Sequence, residues 1–237
     1  MKPKITFAIL FLAILGLSAC KKICVKGSGN VVTKERVLTH FKELDMSGAF
    51  KLELTQDSVQ KVEIITDDNL QDYVKTTVNG DRLVIKSEKN LCATKNVLIR
   101  IHVNELSKIE ASGAVDVKTT NEFKQPSFEL KSSGATESDL MMNVNTLSTR
   151  ISGAGKIALR GQAAELNIKI SGAGKIKAFD LVANKCVVDV SGAADSEVNV
   201  LSELNVSASG ASKVSYKGAP AKVVENSSGA SSVKKVE

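Results

Sequence analysis

The sequence predicts an all-β protein whose larger part is a parallel β-helix, or solenoid, with coils of about 19 residues. Three features predict this fold: a Ser-Gly-Ala tripeptide that recurs at a nearly constant interval, alternating β-branched segments between its copies, and an unusual apolar composition. Apolar residues make up 43% of the 237 residues, yet aromatics are only 4% and Trp is absent. This composition excludes a disordered chain and favours a core of Val, Ile, Leu and Ala in thin layers.

The repeat occupies the second half of the chain, residues 111–237. From Gly113 onward its glycines are separated by 21, 19, 19, 20, 18 and 19 residues. That period is too short for a two-helix repeat, and segments such as 166–170 alternate as a strand does. Each repeat is therefore predicted to form one coil. An earlier copy at Gly48 predicts an outlying, elaborated coil. The repeat glycines are Gly113, Gly134, Gly153, Gly172, Gly192, Gly210 and Gly229.

Alignment of the copies on their glycine predicts which side chains face inward. The positions six before, two before and four after it are mostly apolar, as stacked interior columns require. The position three after it is charged in six consecutive coils, so it is predicted to face water. There Glu137 is expected to meet Lys156, and Asp195 to meet Lys175 or Lys213.

The Ser-Gly-Ala tripeptide itself is predicted to form the corner of each coil. Gly can adopt positive φ or allow neighbouring rungs to approach closely, and Ser can hydrogen-bond its own turn. The alternative is a flat face of small residues that contacts a ligand.

Residues 27–110 are predicted to be β structure without the short repeat. Residues 50–55 and 97–103 alternate as strands, and Asn79-Gly80 is predicted to turn an antiparallel hairpin. Residues 68–74 are predicted to form one or two helical turns behind an Asp cap. The neighbouring acids are interpreted as a solvated cap and turn, with a metal site as the alternative: Asp67, Asp68 and Asp72.

Residues 1–19 are predicted to be a lipoprotein signal peptide. A basic start precedes an apolar run, residues 5–17, that is too short for a typical transmembrane helix. Leu17-Ser-Ala-Cys20 then resembles the lipobox of bacterial lipoproteins, in which the Cys is acylated. Cys20 is therefore the predicted lipidation site, and residues 20–26 the anchor and short linker. An ordinary signal peptide or an uncleaved anchor are the alternatives, and either would export the protein.

Cleavage after residue 19 lowers the formal net charge from +6 to +4, because two of the 32 basic residues are lost against 26 acidic ones. A Lys directly after Cys20 resembles outer-membrane sorting in Gram-negative bacteria. The predicted location is thus the outer membrane, with the cell surface and the periplasmic face both left open.

Three further cysteines remain in the exported chain. Export permits a disulfide. Cys24 with Cys92 is the more natural pair, because Cys186 falls on an apolar column, and two separate thiols are the alternative. The sequence contains no CxxC pair to indicate a metal knuckle.

Catalytic residues, a metal and a cofactor are not predicted. His40 and His102, the only histidines, are interpreted as packing or surface residues. The Gly-Ala-Gly stretches at 153–155 and 172–174 resemble a phosphate loop superficially, but they repeat with the coil and open no helix. Scattered lysines and few aromatics argue against nucleic-acid binding.

Two further segments carry a family resemblance: Gly27-Ser-Gly-Asn-Val-Val, and His40-Phe41-Lys-Glu-Leu44-Asp-Met-Ser-Gly-Ala-Phe50. Together with the Ser-Gly-Ala array they resemble the "putative auto-transporter adhesin, head GIN domain" family of exported β-helical proteins, common in Bacteroidetes. The resemblance covers residues 27–237. It implies a right-handed parallel β-helix, in line with the general handedness of parallel crossovers. No catalytic residues come with this family.

The expected function is that of a non-enzymatic, lipid-anchored cell-envelope protein with an adhesin-like binding module. Its expected partners are the membrane, through the N-terminal lipid, and a glycan or an envelope protein. The main alternative is a periplasmic structural or regulatory scaffold that acts through self-association. A carbohydrate-active β-helical enzyme is a remote alternative, because coils of 18–21 residues leave no room for catalytic loops.

Overall fold

The computed structural model describes residues 24–237 and is built almost wholly of β-strands. The predicted leader and Cys20 lie outside the described residues. Within the described part, no helix combines the length and apolar character that a membrane crossing requires.

The strands of the first part are short, apart from one of 14 residues. A 3-10 helix, Asp68–Tyr73, lies among them, where helical turns were predicted. In chain order the strands are β1 (Val25–Lys26), β2 (Val31–Glu35), β3 (Glu43–Gln56), β4 (Lys61–Asp67), β5 (Val74–Asn79), β6 (Arg82–Ser87), β7 (Leu91–Cys92) and β8 (Leu98–Val103).

The strands of the second part include the longest of the domain, because four of them run through a whole coil between two corners. They are β9 (Lys108–Thr119), β10 (Phe123–Gly134), β11 (Glu137–Gly153), β12 (Lys156–Gly172), β13 (Lys175–Gly192), β14 (Asp195–Gly210), β15 (Lys213–Lys217), β16 (Lys222–Ser227) and β17 (Ser232–Lys235).

These long strands stack in parallel, each on the one before, and the predicted parallel solenoid is confirmed. Glycines of successive copies pair directly, as in Gly153 with Gly172 and Gly172 with Gly192. β3 belongs to the same stack, because Gly48 pairs with Gly113. The solenoid therefore begins at β3, and residues 57–107 form an insertion between its first two coils.

The predicted interior columns are buried in the middle of the stack. Six residues before the corner glycine, Leu147, Leu166, Cys186 and Leu204 have no exposed surface. The columns two before and four after it are buried from the coil of Gly113 through that of Gly210. The period-2 alternation of each coil thus places one side-chain set inside and the other in water.

The residues two positions after the corners also face the interior, and in the middle coils they are small. Gly155 and Gly174 are buried there, and a Cβ at Gly174 would lie 2.8 Å from Cγ2 of Ile170. In the first coil the position two after Gly48 holds the large side chain of Phe50, which is also buried. The Gly-Ala-Gly stretches are thus explained by packing, since the second glycine leaves space for an isoleucine.

The insertion, together with β2 from before β3, covers the N-terminal end of the solenoid. This covering layer is here called the N-terminal cap: β2, β4, β5, β6, β8 and the 3-10 helix. β6 pairs with the first half of β3 and β8 with its second half, both in parallel. β5 then pairs with β6 in the predicted antiparallel hairpin. Its two turn residues are Gly80 and Asp81 rather than the predicted Asn79 and Gly80, because Asn79 still pairs with Arg82 in the ladder. β4 and β2 continue from β8 in antiparallel order.

The opposite end carries a terminal coil, β16 and β17, that pairs with the preceding coil alone. All six residues of β16 are exposed, including Val223, whose counterparts in earlier coils are fully buried.

Candidate functional site

The repeat glycines lie at corners where the backbone needs them. At Gly172 φ is +127°, and a Cβ would lie 2.7 Å from the carbonyl oxygen of Gly153 in the preceding rung. Such a contact and such a φ both exclude ordinary side chains. The other repeat glycines share this geometry: Gly113, Gly134, Gly153, Gly192, Gly210 and Gly229.

The start of the described chain is fastened to the N-terminal cap. Cys24 and Cys92 are joined in a disulfide with a Cα–Cα distance of 5.6 Å, and β1 pairs with β7 beside it. The Asn69 side chain donates a hydrogen bond to the carbonyl of Lys26 at 2.8 Å. Residues 24–30 therefore form part of the folded domain. They include residues 24–26, the described end of the segment predicted as anchor and short linker.

Asp67 is buried, so its interpretation as a solvated cap was wrong. Its carboxylate accepts hydrogen bonds from the backbone N–H groups of Gly29 and Thr94 at 2.8 and 2.9 Å. It also accepts one from the Thr94 hydroxyl at 2.6 Å, which lowers the pKa of Asp67 below its ordinary value. It caps no helix; it joins the 27–30 loop to the segment after β7. Asp68 instead accepts bonds from Ser28 and Asn30, while Asp72 is exposed.

The remaining reactive side chains are not brought together. His40 is exposed, and His102 lies 3.3 Å from the carboxylate of Asp57 at the surface. Cys186 is buried in the apolar column, and burial raises the pKa of its thiol to about 12. Among residues 24–237, no group of three His, Cys, Asp or Glu side chains is placed to hold a metal ion.

The outward columns beside the corners are the main chemical feature of the surface. The downstream row is the column three residues after each corner glycine, and it contains the predicted ion pairs. Lys156 contacts Glu137 at 2.8 Å, and Lys175 contacts Asp195 at 2.6 Å. Lys156 holds the pKa of Glu137 below its ordinary value, and Asp195 raises the pKa of Lys175. The full downstream row is Lys51, Asp116, Glu137, Lys156, Lys175, Asp195, Lys213 and Ser232.

A second column, the upstream row, lies three residues before each corner glycine, and the sequence reasoning overlooked it. Its centre is three cations in register, Lys131, Arg150 and Lys169. Acids flank them: Glu110 lies 3.5 Å from Lys131, and Asp189 lies 2.6 Å from Lys169. The same alignment on Gly that revealed the downstream row would have shown it. The upstream row is Asp45, Glu110, Lys131, Arg150, Lys169, Asp189, Ser207 and Asn226.

A bulge in β13 forms a shallow cleft of about 350 Å³ on another part of the surface. Here Arg160 contacts Asp139 at 2.7 Å, and the Lys217 ammonium lies 5.0 Å from the centre of the Phe179 ring. Four other phenylalanines are buried in the core: Phe41, Phe50, Phe123 and Phe128.

The fold and its repeat match one protein family over most of the chain. The model of the family described as "Putative auto-transporter adhesin, head GIN domain" matches residues 40–220. The chain belongs to this family. The resemblance inferred from the motifs is thus confirmed, and an envelope-associated or extracellular protein of the adhesin type is the role that membership supports.

Several solved structures share the fold of this head GIN domain. A putative adhesin from Bacteroides fragilis is 21% identical, with a TM-score of 0.82 over 90% of this chain and 100% of its own. A putative lipid binding protein from Parabacteroides distasonis is 23% identical, with a TM-score of 0.71 over 91% and 100%. A putative adhesin from Parabacteroides merdae is 24% identical, with a TM-score of 0.67 over 90% and 99%. Comparison with curated protein sequences gives no match.

Proposed function

We propose that this chain is a non-enzymatic, lipid-anchored protein of the outer membrane whose solenoid is an adhesin-like binding module. The observation that carries this proposal is the pair of long outward rows on rigid, in-register rungs. A solenoid offers such rows as one extended surface, which suits the binding of an elongated partner. Membership of a family described as adhesins supports the same role.

The anchor is supported by how the domain begins. Cys20 precedes the disulfide-bonded Cys24 by four residues, a stretch that spans at most about 14 Å when fully extended. An acyl group on Cys20 would therefore hold the N-terminal cap close to the membrane. Since the coils stack outward from the cap, they would then extend away from the acylated Cys20 and the membrane.

Metabolic labelling with a fatty-acid analogue tests the anchor. The native chain is expected to incorporate the label and a Cys20→Ser variant to lose it. Cys186→Ser is the matched control, because that thiol is buried and distant in sequence from the lipobox. Equal labelling of native and Cys20→Ser chains would contradict the anchor.

Protease digestion of intact cells tests the adhesin role separately. Exposure on the cell surface predicts that added protease removes the domain from intact cells. Full protection, with digestion only after the outer membrane is permeabilised, would contradict an adhesin and favour the periplasmic scaffold.

Self-association is the second candidate, and the exposed terminal coil favours it. Val223 and Val224 of β16 are 42% and 38% exposed, beside a strand edge without a following coil. Sedimentation of the mature chain at increasing concentration distinguishes the two roles. A monomer at all concentrations supports the adhesin, whereas a dimer lost on Val223→Glu supports the scaffold.

A further inference from the structure

Basic residues concentrate in the middle of the solenoid. Residues 150–177 contain six basic side chains and one acidic, a formal charge of +5 within a chain whose total is +6. The six are Arg150, Lys156, Arg160, Lys169, Lys175 and Lys177. Residues 1–26 carry five more basic side chains and no acidic one, so the remainder of the chain has 21 basic against 25 acidic residues. Within the solenoid, the positive charge is therefore a local feature of coils β11 to β13.

In-register stacking places several cations of the solenoid on neighbouring rungs. Lys131, Arg150 and Lys169 occupy three consecutive rungs of the upstream row, which are spaced by about 4.8 Å. Like charges directly opposite each other on neighbouring strands destabilise a sheet. The row is therefore unfavourable for folding alone, and a bound anion would relieve the repulsion.

Arg150 is the central and least compensated member of the row. Lys131 and Lys169 each contact a flanking acid, but within residues 24–237 no carboxylate lies within 4 Å of the exposed Arg150 guanidinium. By contrast Arg160, which belongs to the same coil region, is paired with Asp139. A depression of about 370 Å³ adjoins Arg150 and Lys131 and is lined also by Ser152. The carboxylates of Asp45 and Glu110 line it on the rungs nearer the N-terminal cap, so its positive part lies at Arg150.

The downstream row adds two more cations on the other side of the same corners. Lys156 and Lys175 are neighbours in register, and their acidic partners, Glu137 and Asp195, lie on the outer rungs. In both rows the acids thus flank the cations, and the centre of the surface is positive. Only the Ser-Gly-Ala corners separate the rows, so no large side chain blocks access to both.

We infer that these five cations, Lys131, Arg150, Lys169, Lys156 and Lys175, bind an anionic polysaccharide that lies along the solenoid axis. The chemistry recognised is a repeated carboxylate or sulfate, presented at intervals comparable to the rung spacing, with sugar hydroxyls near the corner serines. A membrane surface fits less well, because the corners offer Ser, Gly and Ala rather than apolar side chains that insert into lipid. The inference rests on the proposed adhesin role and specifies its ligand.

The test compares two doubly substituted variants of the mature chain that carries Cys20→Ser. Arg150→Gln with Lys169→Gln removes two cations from the upstream row. Lys34→Gln with Lys234→Gln removes the same charge from exposed positions in β2 and β17. Both variants are checked for native circular dichroism and melting, and Arg150→Lys keeps the charge as a conservative control.

Binding is measured to heparin, polygalacturonate and neutral dextran, and to anionic lipid vesicles and duplex DNA, at about 50 mM and about 200 mM salt. For a polyanion contact, the Arg150/Lys169 variant is expected to lose about tenfold or more in affinity, with a weaker salt dependence, while the Lys34/Lys234 variant loses less than about twofold. Arg150→Lys should retain most of the binding. Heparin binding without polygalacturonate binding identifies sulfate as the recognised group, and the reverse identifies carboxylate.

Equal losses in both double variants would overturn the inference, as would binding to dextran or a preference for vesicles or DNA over both polysaccharides. No binding to either anionic polysaccharide at low salt would overturn it too. The adhesin role is tested independently by the cell-surface protease experiment. It would survive failure of the polysaccharide inference, because a surface-exposed domain can bind a neutral glycan or a protein.

Discussion

The two ends of the solenoid have the same rung architecture but different neighbours. At the N-terminal end, β3 is covered along both halves by β6 and β8, and Leu44 and Leu52 are almost fully buried. At the C-terminal end, β16 is covered by nothing in the described domain, and all six of its residues are exposed. A coil is therefore buried only when it has a rung on each side, which is the general behaviour of solenoids.

The interior columns show how the sequence adapts to this difference. One column runs in register from Leu83 in the cap, through Ile168 in the middle, to Glu225 in β16. The Glu225 carboxylate accepts a hydrogen bond from the hydroxyl of Ser227, which occupies another interior column. An inward-directed charge on an edge strand discourages pairing with other chains. The N-terminal end is covered by the apolar side chains of the cap. At the C-terminal end, polar residues in the inward positions of β16 oppose pairing with another chain.

The sharpest test of the comparison is a pair of substitutions in one column. Leu166→Ala leaves a cavity between two covered rungs, so we expect a loss of about 2–5 kcal/mol in the free energy of unfolding. Val223→Ala, at the same position in the terminal coil, is expected to change it by less than about 0.5 kcal/mol, as for surface changes. Urea unfolding measures both. Similar losses at the two sites would show that β16 is packed as tightly as the middle coils.

Loss of the disulfide should weaken the closed end. A double change, Cys24→Ser with Cys92→Ser, releases a cross-link that spans 68 residues of sequence and is expected to cost about 2–4 kcal/mol. Thermal unfolding with and without a reductant measures the effect. If reductant left the melting temperature of the native chain unchanged, the disulfide would not be needed to keep β1 and the cap folded.

Substitutions of corner glycines are expected to show a smaller difference in stability between the middle coils and the terminal coil. Gly172→Val places a branched side chain at positive φ against the neighbouring rung, at an expected cost of about 1–3 kcal/mol for the backbone strain alone. Gly229→Val, at the corner of the terminal coil, should cost less, because that coil can shift without disturbing a rung above it. Melting of Gly172→Val at the native temperature would refute the assignment of Ser-Gly-Ala as a structural corner.

The smallest expected effect is the response of the cap to acid. Hydrogen bonds from Thr94 and Gly29 lower the pKa of Asp67, so its stabilisation is present above the ordinary pKa of 3.8. It should be lost as the pH falls through the lowered value. Asp67→Asn should remove this step from the pH dependence of melting below the ordinary pKa of 3.8, and Asp72→Asn, an exposed control, should leave it. An unchanged acid response in Asp67→Asn would contradict the role of this carboxylate.

Local periodicity predicted the solenoid but not what closes it. The spacing of Ser-Gly-Ala fixed the coil length, and the residues six before and four after Gly marked the core, because each coil repeats one local environment. The cap depends on pairings between distant segments, such as 31–35 with 61–67, which leave no local pattern. Burial of Asp67 was missed for the same reason, since its donors belong to Gly29 and Thr94. The cationic row centred on Arg150 could have been predicted from the alignment of the repeat copies on their glycine.

Hydrogen exchange of the oxidised mature chain tests the difference between the two ends most directly. Amides of β12, which lies between two rungs, should exchange most slowly. Those of β6 and β8, in the cap beside the Cys24–Cys92 disulfide, should be nearly as protected. Amides of β16 and β17 should exchange fastest within the solenoid, because few buried contacts oppose local opening of the terminal coil. Protection of β16 equal to that of β12 would contradict an open C-terminal end, and exchange of β6 and β8 as fast as β16 would contradict a closed N-terminal one.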